Sequence, residues 1–189
     1  FMARFTEGRK PQTKRIRFSH LTAFFNFMRN NFGCDFKNPC DSVMLRKLFR
    51  TKAKPHWDII EKETLGEIIF RTNNVRNRLM LELMARGGMR VGEVLKLTPA
   101  DILGRKLILT DTKSGKEQEL IFIPQKAADR LKEYVRVQKI APRQMIFPIC
   151  YGAARARVGK AGQLVGIRLR PHDLRRHAAT FASRSNVPL

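Results

Sequence analysis

The amino-acid sequence predicts a mainly helical fold with one small antiparallel β-sheet (α+β). Through most of the chain, apolar residues return at three- and four-residue intervals, the spacing that lines one face of an α-helix. Only Lys106 to Thr110 and Glu119 to Ile123 read as strands, and a single polar turn joins them. Asn38-Pro39, Gly87-Gly88 and Thr98-Pro99 mark breaks between helical stretches.

Taken in order, the first helix is expected from about Thr13 to Asn31, where Ile16, Leu21, Phe24, Phe25 and Met28 form an apolar stripe between basic residues. It ends near Gly33. A turn at Asn38-Pro39 and a short helix around Val43 to Phe49 follow. Lys52-Ala53-Lys54-Pro55 lacks apolar periodicity and reads as a linker, which divides the chain into segments 1–54 and 55–189. Beyond it come helices over Lys62 to Arg71 (Leu65, Ile68, Ile69) and Asn74 to Arg86 (Leu79, Met80, Leu83, Met84). Gly87-Gly88 breaks the second, because glycine accepts the positive φ that ends helices. Arg90 opens a short helix through Leu97, and Thr98-Pro99 stops it. After the hairpin, with Asp111 to Lys116 at its tip, helices are expected near Gln125 to Gln138, Tyr151 to Val158 and His172 to Ser185. Gly159 to Gly166 reads as a basic loop containing glycine.

The 189 residues fit one generous domain, or one domain plus a fragment of another, and an apolar fraction of 43% is enough to build a core. Lys and Arg number 38 against 16 acids, a formal charge of +22. Such an excess repels itself unless a polyanion neutralises it, which favours nucleic acid over a membrane surface. The charge is no tail: residues 1–54 hold 13 basic and 3 acidic side chains, and residues 55–189 hold 25 and 13. Cys34, Cys40 and Cys150 form no CxxC pair, and their odd count suits free thiols in a reducing cytosol better than a disulfide framework. No stretch resembles a signal peptide or approaches membrane-spanning length. The first residue, Phe1, and the last three, Val187-Pro188-Leu189, read as cuts through a longer protein.

Two arrangements suit chemistry on a phosphodiester. Arg90 follows a double glycine and lies three residues before Glu93. That pair fits an ordinary surface ion pair as well as a guanidinium held by its carboxylate to face a phosphate. His172 and Arg175, three apart at a helix start marked by Pro171, share a face where free backbone N–H groups favour an anion. Arg176, four residues from His172, meets the same spacing test, whereas His177 falls on another face and forms no metal pair with His172. Lys113 and Lys116 sit at the hairpin tip, where a lysine can reach into a groove and protonate a leaving oxygen. Tyr134 reads as helix packing and Tyr151 as an anchor from loop to helix, and no tyrosine follows Tyr151. Asp101, Asp111, Glu117 and Glu119 show no spacing that recommends a two-metal nuclease.

Together and in this order, these pieces resemble the tyrosine recombinase (phage integrase) family. Gly88-Met89-Arg90-Val91-Gly92-Glu93 is similar to its first arginine motif, and Thr112-Lys113-Ser114-Gly115 to its β-hairpin lysine motif, which favours Lys113 over Lys116. His172-Asp173-Leu174-Arg175-Arg176-His177 is similar to the H-x-L-R-H box and selects Arg175. The family pattern has histidine directly after that arginine, whereas Arg176 intervenes here before His177. Segment 1–54 is similar to the end of the helical core-binding domain that grips DNA opposite the catalytic domain, through Phe24-Phe25-Asn26-Phe27 and Asn38-Pro39-Cys40.

The resemblance implies a metal-independent site-specific recombinase of double-stranded DNA with no cofactor, residing with the nucleoid in the cytoplasm and forming a homo-tetramer on paired sites. Arg90, Lys113, His172 and Arg175 would be catalytic, Glu93 and His177 supporting, and Lys14, Arg15, Arg17, Lys116 and Arg176 contacts to DNA. The family's further His or Trp and its nucleophilic tyrosine lie downstream of the H-x-x-R box, beyond Leu189. The fragment alone is therefore expected not to cleave. A DNA-binding module without chemistry and a type IB topoisomerase are the alternatives. RNA binding accounts for the charge and for none of the motifs.

Overall fold

The computed structural model describes residues 2–33, 35–50, 58–110 and 118–184. The chain divides into two compact units, 1–57 and 58–189. The expected linker at 52–55 and the hairpin tip at 111–116, with Lys113 and Lys116, lie outside the described residues.

The first unit contains α1 (Met2–Thr6), α2 (Pro11–Phe32), a 3₁₀ turn (Pro39–Asp41) and α3 (Val43–Leu48). Proline at the start of α2 loses no hydrogen bond, since the first amides of a helix have no partner within it, and Gly33 ends the helix at φ 59°. A small core of Phe18, Cys40 and Phe49 joins α2 to α3, with the Phe18 and Phe49 rings stacked at 4.9 Å. Asn38, buried at the bend, donates through Nδ2 to the Thr22 carbonyl (3.1 Å) and to Asn26 Oδ1 (2.8 Å), and its Oδ1 accepts from the Cys40 amide (2.8 Å). The predicted Asn38-Pro39 turn is thus pinned to the preceding helix by one amide.

The second unit contains α4 (Lys62–Arg71), α5 (Val75–Arg86), α6 (Val91–Lys96), β1 (Ile102–Leu103), β2 (Lys106–Thr110), β3 (Gln118–Phe122), α7 (Gln125–Val137), α8 (Tyr151–Gln163) and α9 (Pro171–Arg184). Helix α5 is its centre and packs against α4, α6, α7, α8 and α9. Accordingly Leu79 through Ala85 are all buried, an apolar surround far wider than one amphipathic stripe. Asn74 caps it, its Oδ1 accepting from the Asn77 amide at 3.0 Å. The sheet is antiparallel in the order β1-β2-β3, with Leu107 opposite Ile121 and Leu109 opposite Glu119. Leu107 and Leu109 face the core, and Leu120 and Phe122 of β3 are exposed. Fully buried Ile146 and Phe147 hold the connection between α7 and α8, and the Ile146 amide donates to the Leu97 carbonyl at 2.9 Å.

The structure adds two elements to these expectations and corrects one. Helix α1 and strand β1 carry no signal in the sequence, because five and two residues are too short to display a period. Helix α8 runs on to Gln163, where Gly159 and Gly162 suggest a loop. Gly162 serves packing rather than a break: a Cβ there would lie 2.5 Å from Leu169 Cβ and 2.7 Å from the Ile167 carbonyl oxygen. The break comes later, at Gly166, with φ 73°. Gly162→Ala is therefore expected to destabilise this unit by about 2 kcal/mol, the middle of the usual overpacking range and more than the ~1 kcal/mol alanine adds in helix propensity. A thermal melt should show a fall of roughly 4–8 °C.

Candidate active site

The end of α5 and the start of α6 build one wall. Gly87 closes α5, and Gly88 turns the backbone at φ 64°, a conformation that a side chain would strain. Met89 is fully buried and fixes the loop, so that Arg90 arrives at the N-cap of α6. Glu93, at the third position of that helix, accepts from the Arg90 backbone amide through Oε2 (2.7 Å) and from Arg90 Nη1 through Oε1 (2.6 Å). This carboxylate, 12% exposed, holds the pKa of the Arg90 guanidinium above its ordinary value against the opposing effect of burial.

The opposite wall is the start of α9. Pro171 opens the helix, and Asp173 accepts from the Arg170 backbone amide at 3.0 Å, satisfying one of the unpaired amides at the helix end. One turn later, Arg175 Nη1 donates to the Gly88 carbonyl (2.8 Å) and lies 3.7 Å from Glu93 Oε2. Gly88 thus presents its carbonyl to the second arginine, and one carboxylate orders both guanidiniums.

Between these walls lies a cleft of about 430 Å³ lined by Arg90, Glu93, Lys96, Tyr151, His172 and Arg175. His172 is exposed at its mouth. Three cations and one carboxylate give the cleft a positive balance, and rigid guanidinium forks suit the oxygens of a tetrahedral phosphate. Three of the four expected catalytic side chains, Arg90, His172 and Arg175, therefore share one cavity, and the fourth, Lys113, lies outside the described residues.

Other candidates fall elsewhere. Arg176 points to Asp173 at 3.4 Å and does not line the cleft. His177 is buried on another face of α9, its Nδ1 2.7 Å from the Ile60 carbonyl and its ring 4.3 Å from that of Phe181, so it ties α9 to the chain entering α4. In the first unit, Arg15 is exposed and Lys14 half-buried, and Arg17 lies over the Phe5 ring at 4.5 Å and donates to the Phe5 carbonyl. Tyr151, which the sequence presents as an anchor only, does open α8 and also faces the cleft at 56% exposure. An exposed aromatic beside a basic motif was the available signal. Asp173 was missed too, although an acid three positions into a helix is a recognisable capping pattern.

Among the described residues no cluster of three or more His, Cys, Asp or Glu is placed to hold a metal ion. No described helix is long and apolar enough to cross a membrane. The sequence profile of the phage integrase family matches residues 59–189, most of the chain and all of the cleft. The chain belongs to the phage integrase family. Tyrosine recombinase XerA of Saccharolobus solfataricus is 25% identical over 130 residues, covering 68% of this chain and 44% of that protein. A tyrosine recombinase of Pseudothermotoga lettingae is 26% identical over 178 residues, covering 90% of this chain and 61% of that protein. The chain spans 44 to 66% of the length of the curated relatives it matches. A solved Tn1549 transposon integrase in complex with circular intermediate DNA superposes with a TM-score of 0.75 at 16% identity, over 99% of this chain and 72% of that one. A lambda integrase dimer bound to a core site gives 0.68 at 18% identity, over 93% and 68%. These structures share the fold of this family member, a mainly helical unit with a three-stranded antiparallel sheet.

Proposed function

We propose that this chain carries the phosphate-binding apparatus of a site-specific recombinase or integrase, which cuts and rejoins duplex DNA through a phosphotyrosine. The observation that carries the reading is the shared cleft, where Glu93 orders Arg90 and Arg175 beside His172. The charge of +22 and the DNA complexes of the structural relatives support it. In this reading residues 55–189 belong to the catalytic domain, and residues 1–54 end a core-binding domain that offers Lys14, Arg15 and Arg17 to the same duplex. Lys116 and Arg176 add backbone contacts, and His177 supports the arginine helix from behind.

In this reading the attacking oxygen comes from a tyrosine other than Tyr134 and Tyr151. It bonds to phosphorus, the bond to the 5′-oxygen breaks, and a 3′-phosphotyrosine forms. Negative charge grows on the non-bridging oxygens, where Arg90 and Arg175 stabilise it more in the transition state than in the ground state. His172 accepts the tyrosine proton or donates to the phosphate, and Lys113 gives a proton to the departing 5′-oxygen. Attack by the 5′-hydroxyl of another strand reverses the step, so no external energy source is needed. Four such subunits on two paired sites exchange strands, in the compartment that holds the DNA.

Two guanidiniums and a lysine supply the positive charge that a divalent ion supplies elsewhere, so EDTA should leave activity intact. The test uses this chain and a longer polypeptide that includes the tyrosine. The first should bind duplex DNA in a salt-sensitive way and form no protein–DNA adduct. The second should yield an SDS-stable 3′ adduct on a nicked duplex in the presence of EDTA. Loss of the adduct on chelation, or relaxation of supercoils with no exchange between partner sites, would point to another enzyme class.

A further inference from the structure

Strand β3 turns one charged side chain toward the core. Register sets Glu119 opposite Leu109 and Ile121 opposite Leu107, so Glu119 shares the core-facing side of the sheet with three apolar residues. Leu107 and Leu109 are buried and Ile121 packs against the core, whereas Glu119 is half-buried. Its Oε2 is screened from solvent and has no hydrogen-bond partner among the described residues. A carboxylate on an apolar face loses hydration and gains nothing from such neighbours, so its place there needs a compensating charge.

Arg90 is that charge. The same face of β3 lies against the loop that leads into α6: a Cβ on Gly87 would meet Ile123 Cγ2 at 3.0 Å and Ile121 Cγ2 at 3.3 Å. Glu119 is the next residue on this face, about 7 Å along the strand toward its start. Arg90 stands three residues beyond Gly87 on the facing loop. The hydrogen bond from Glu93 does most to hold the Arg90 guanidinium above its ordinary pKa, and the charges of Glu93 and Glu119 add to it through space. The two carboxylates differ in where they are anchored. Glu93 belongs to α6 and moves with Arg90, whereas Glu119 belongs to the sheet. A guanidinium bonded through Nη1 alone can still pivot about that bond. A second negative charge from a separate element restrains the pivot.

We propose that Glu119 is a positioning residue for Arg90, a second carboxylate that sets the direction of the guanidinium fork from the side of the sheet. The inference rests on the reading that the cleft holds the scissile phosphate. Electrostatics without positioning has the opposite sign. A negative charge beside the cleft disfavours phosphate, and more so as charge grows in the transition state, so its removal would tighten binding and speed the reaction. If Glu119 aims the fork, its removal slows the reaction although binding does not suffer.

The experiment measures adduct formation on a nicked duplex at saturating protein, together with duplex affinity, in a polypeptide that includes the attacking tyrosine. E119Q keeps the size of the side chain and should slow adduct formation roughly 10-fold, the lower end of what the outer partners of a metal ligand are worth. Its duplex affinity should equal that of wild type or slightly exceed it. E119D keeps the charge and should recover most of the rate. On an Arg90→Ala background E119Q should cost nothing more, because a residue that acts through Arg90 then has nothing left to aim. Thermal melts verify that each variant is folded. E119Q at the wild-type rate or above it overturns the proposal, as does an undiminished loss on the Arg90→Ala background. A fall in rate matched by falls in affinity and melting temperature overturns it too, since packing alone would account for all three. Each of these results leaves the cleft reading intact, whereas a wild type that forms no adduct overturns both.

Discussion

Arg90→Ala is expected to slow formation of the covalent DNA adduct by roughly 10²–10³-fold in a polypeptide that includes the attacking tyrosine, the usual cost of removing one preorganised donor. The guanidinium is positioned before substrate arrives, because Glu93 binds both its Nη1 and the backbone amide of the same residue. Its remaining N–H groups meet charge that develops only as the phosphorus becomes five-coordinate, so the loss falls on the rate. Binding should persist, since Arg90 is one of 38 basic residues. Arg90→Lys should recover little, because an ammonium cannot span two oxygens in the fork geometry of arginine. Adduct yield on a nicked duplex, quantified beside equilibrium binding of the same variant, separates the possibilities. A module that binds DNA without chemistry would give the opposite pattern: a small, uniform loss of affinity and no adduct to lose.

The carboxylate behind the arginines matters for the same reason. Glu93 lies 3.7 Å from Arg175 as well, so the two forks share one point of reference although 85 positions separate them in the chain. Residue spacing shows which arginine stands beside which acid within a turn of helix. It carries no record of α9 packing on α5, which brings Arg175 to the Gly88 carbonyl. The motifs therefore named four members of the cleft, Arg90, Glu93, His172 and Arg175, whereas the bonds between the two motifs are tertiary.

The fold was legible where a period had room to repeat. Leu65, Ile68 and Ile69 on α4 and the pairing of β2 with β3 lie where alternation and helical spacing put them. Glycine was the less reliable signal, because its two uses look alike in a sequence. Gly88 is needed for its positive φ, and Gly162 for the close passage of Ile167 and Leu169 beneath α8. Only the first marks a break. Tyr151 shows its place at a helix start in the sequence, and its second role as a wall of the cleft depends on where α8 lies beside α6.

Helix α5 hides a further feature that periodicity missed, and it sets the largest stability effect expected here. Leu79, Met80, Leu83 and Met84 mark its apolar face, yet Glu82 among them is only 1% exposed. Its Oε1 is met by Arg130 Nη1 of α7 at 2.5 Å, and its Oε2 is buried with no hydrogen-bond partner among the described residues. Arg130→Ala removes this ion-pair partner and strands a carboxylate in the core. Breaking a buried pair from one side costs about 3–5 kcal/mol, and the lower end applies because Arg130 is 46% exposed. A loss of about 3 kcal/mol should lower the melting temperature by roughly 6–12 °C in a chain of this size. Glu82→Gln should cost less, since the charge it leaves unpaired, on Arg130, is 46% exposed to solvent. Adding it to Arg130→Ala should restore part of the loss, so that the double variant is more stable than Arg130→Ala alone. A double-mutant cycle on thermal or urea unfolding reads this coupling directly. If Arg130→Ala melts with wild type, Glu82 is satisfied by something other than its ion pair, and the α5–α7 contact is held by Leu79, Ala128 and Leu131 without it.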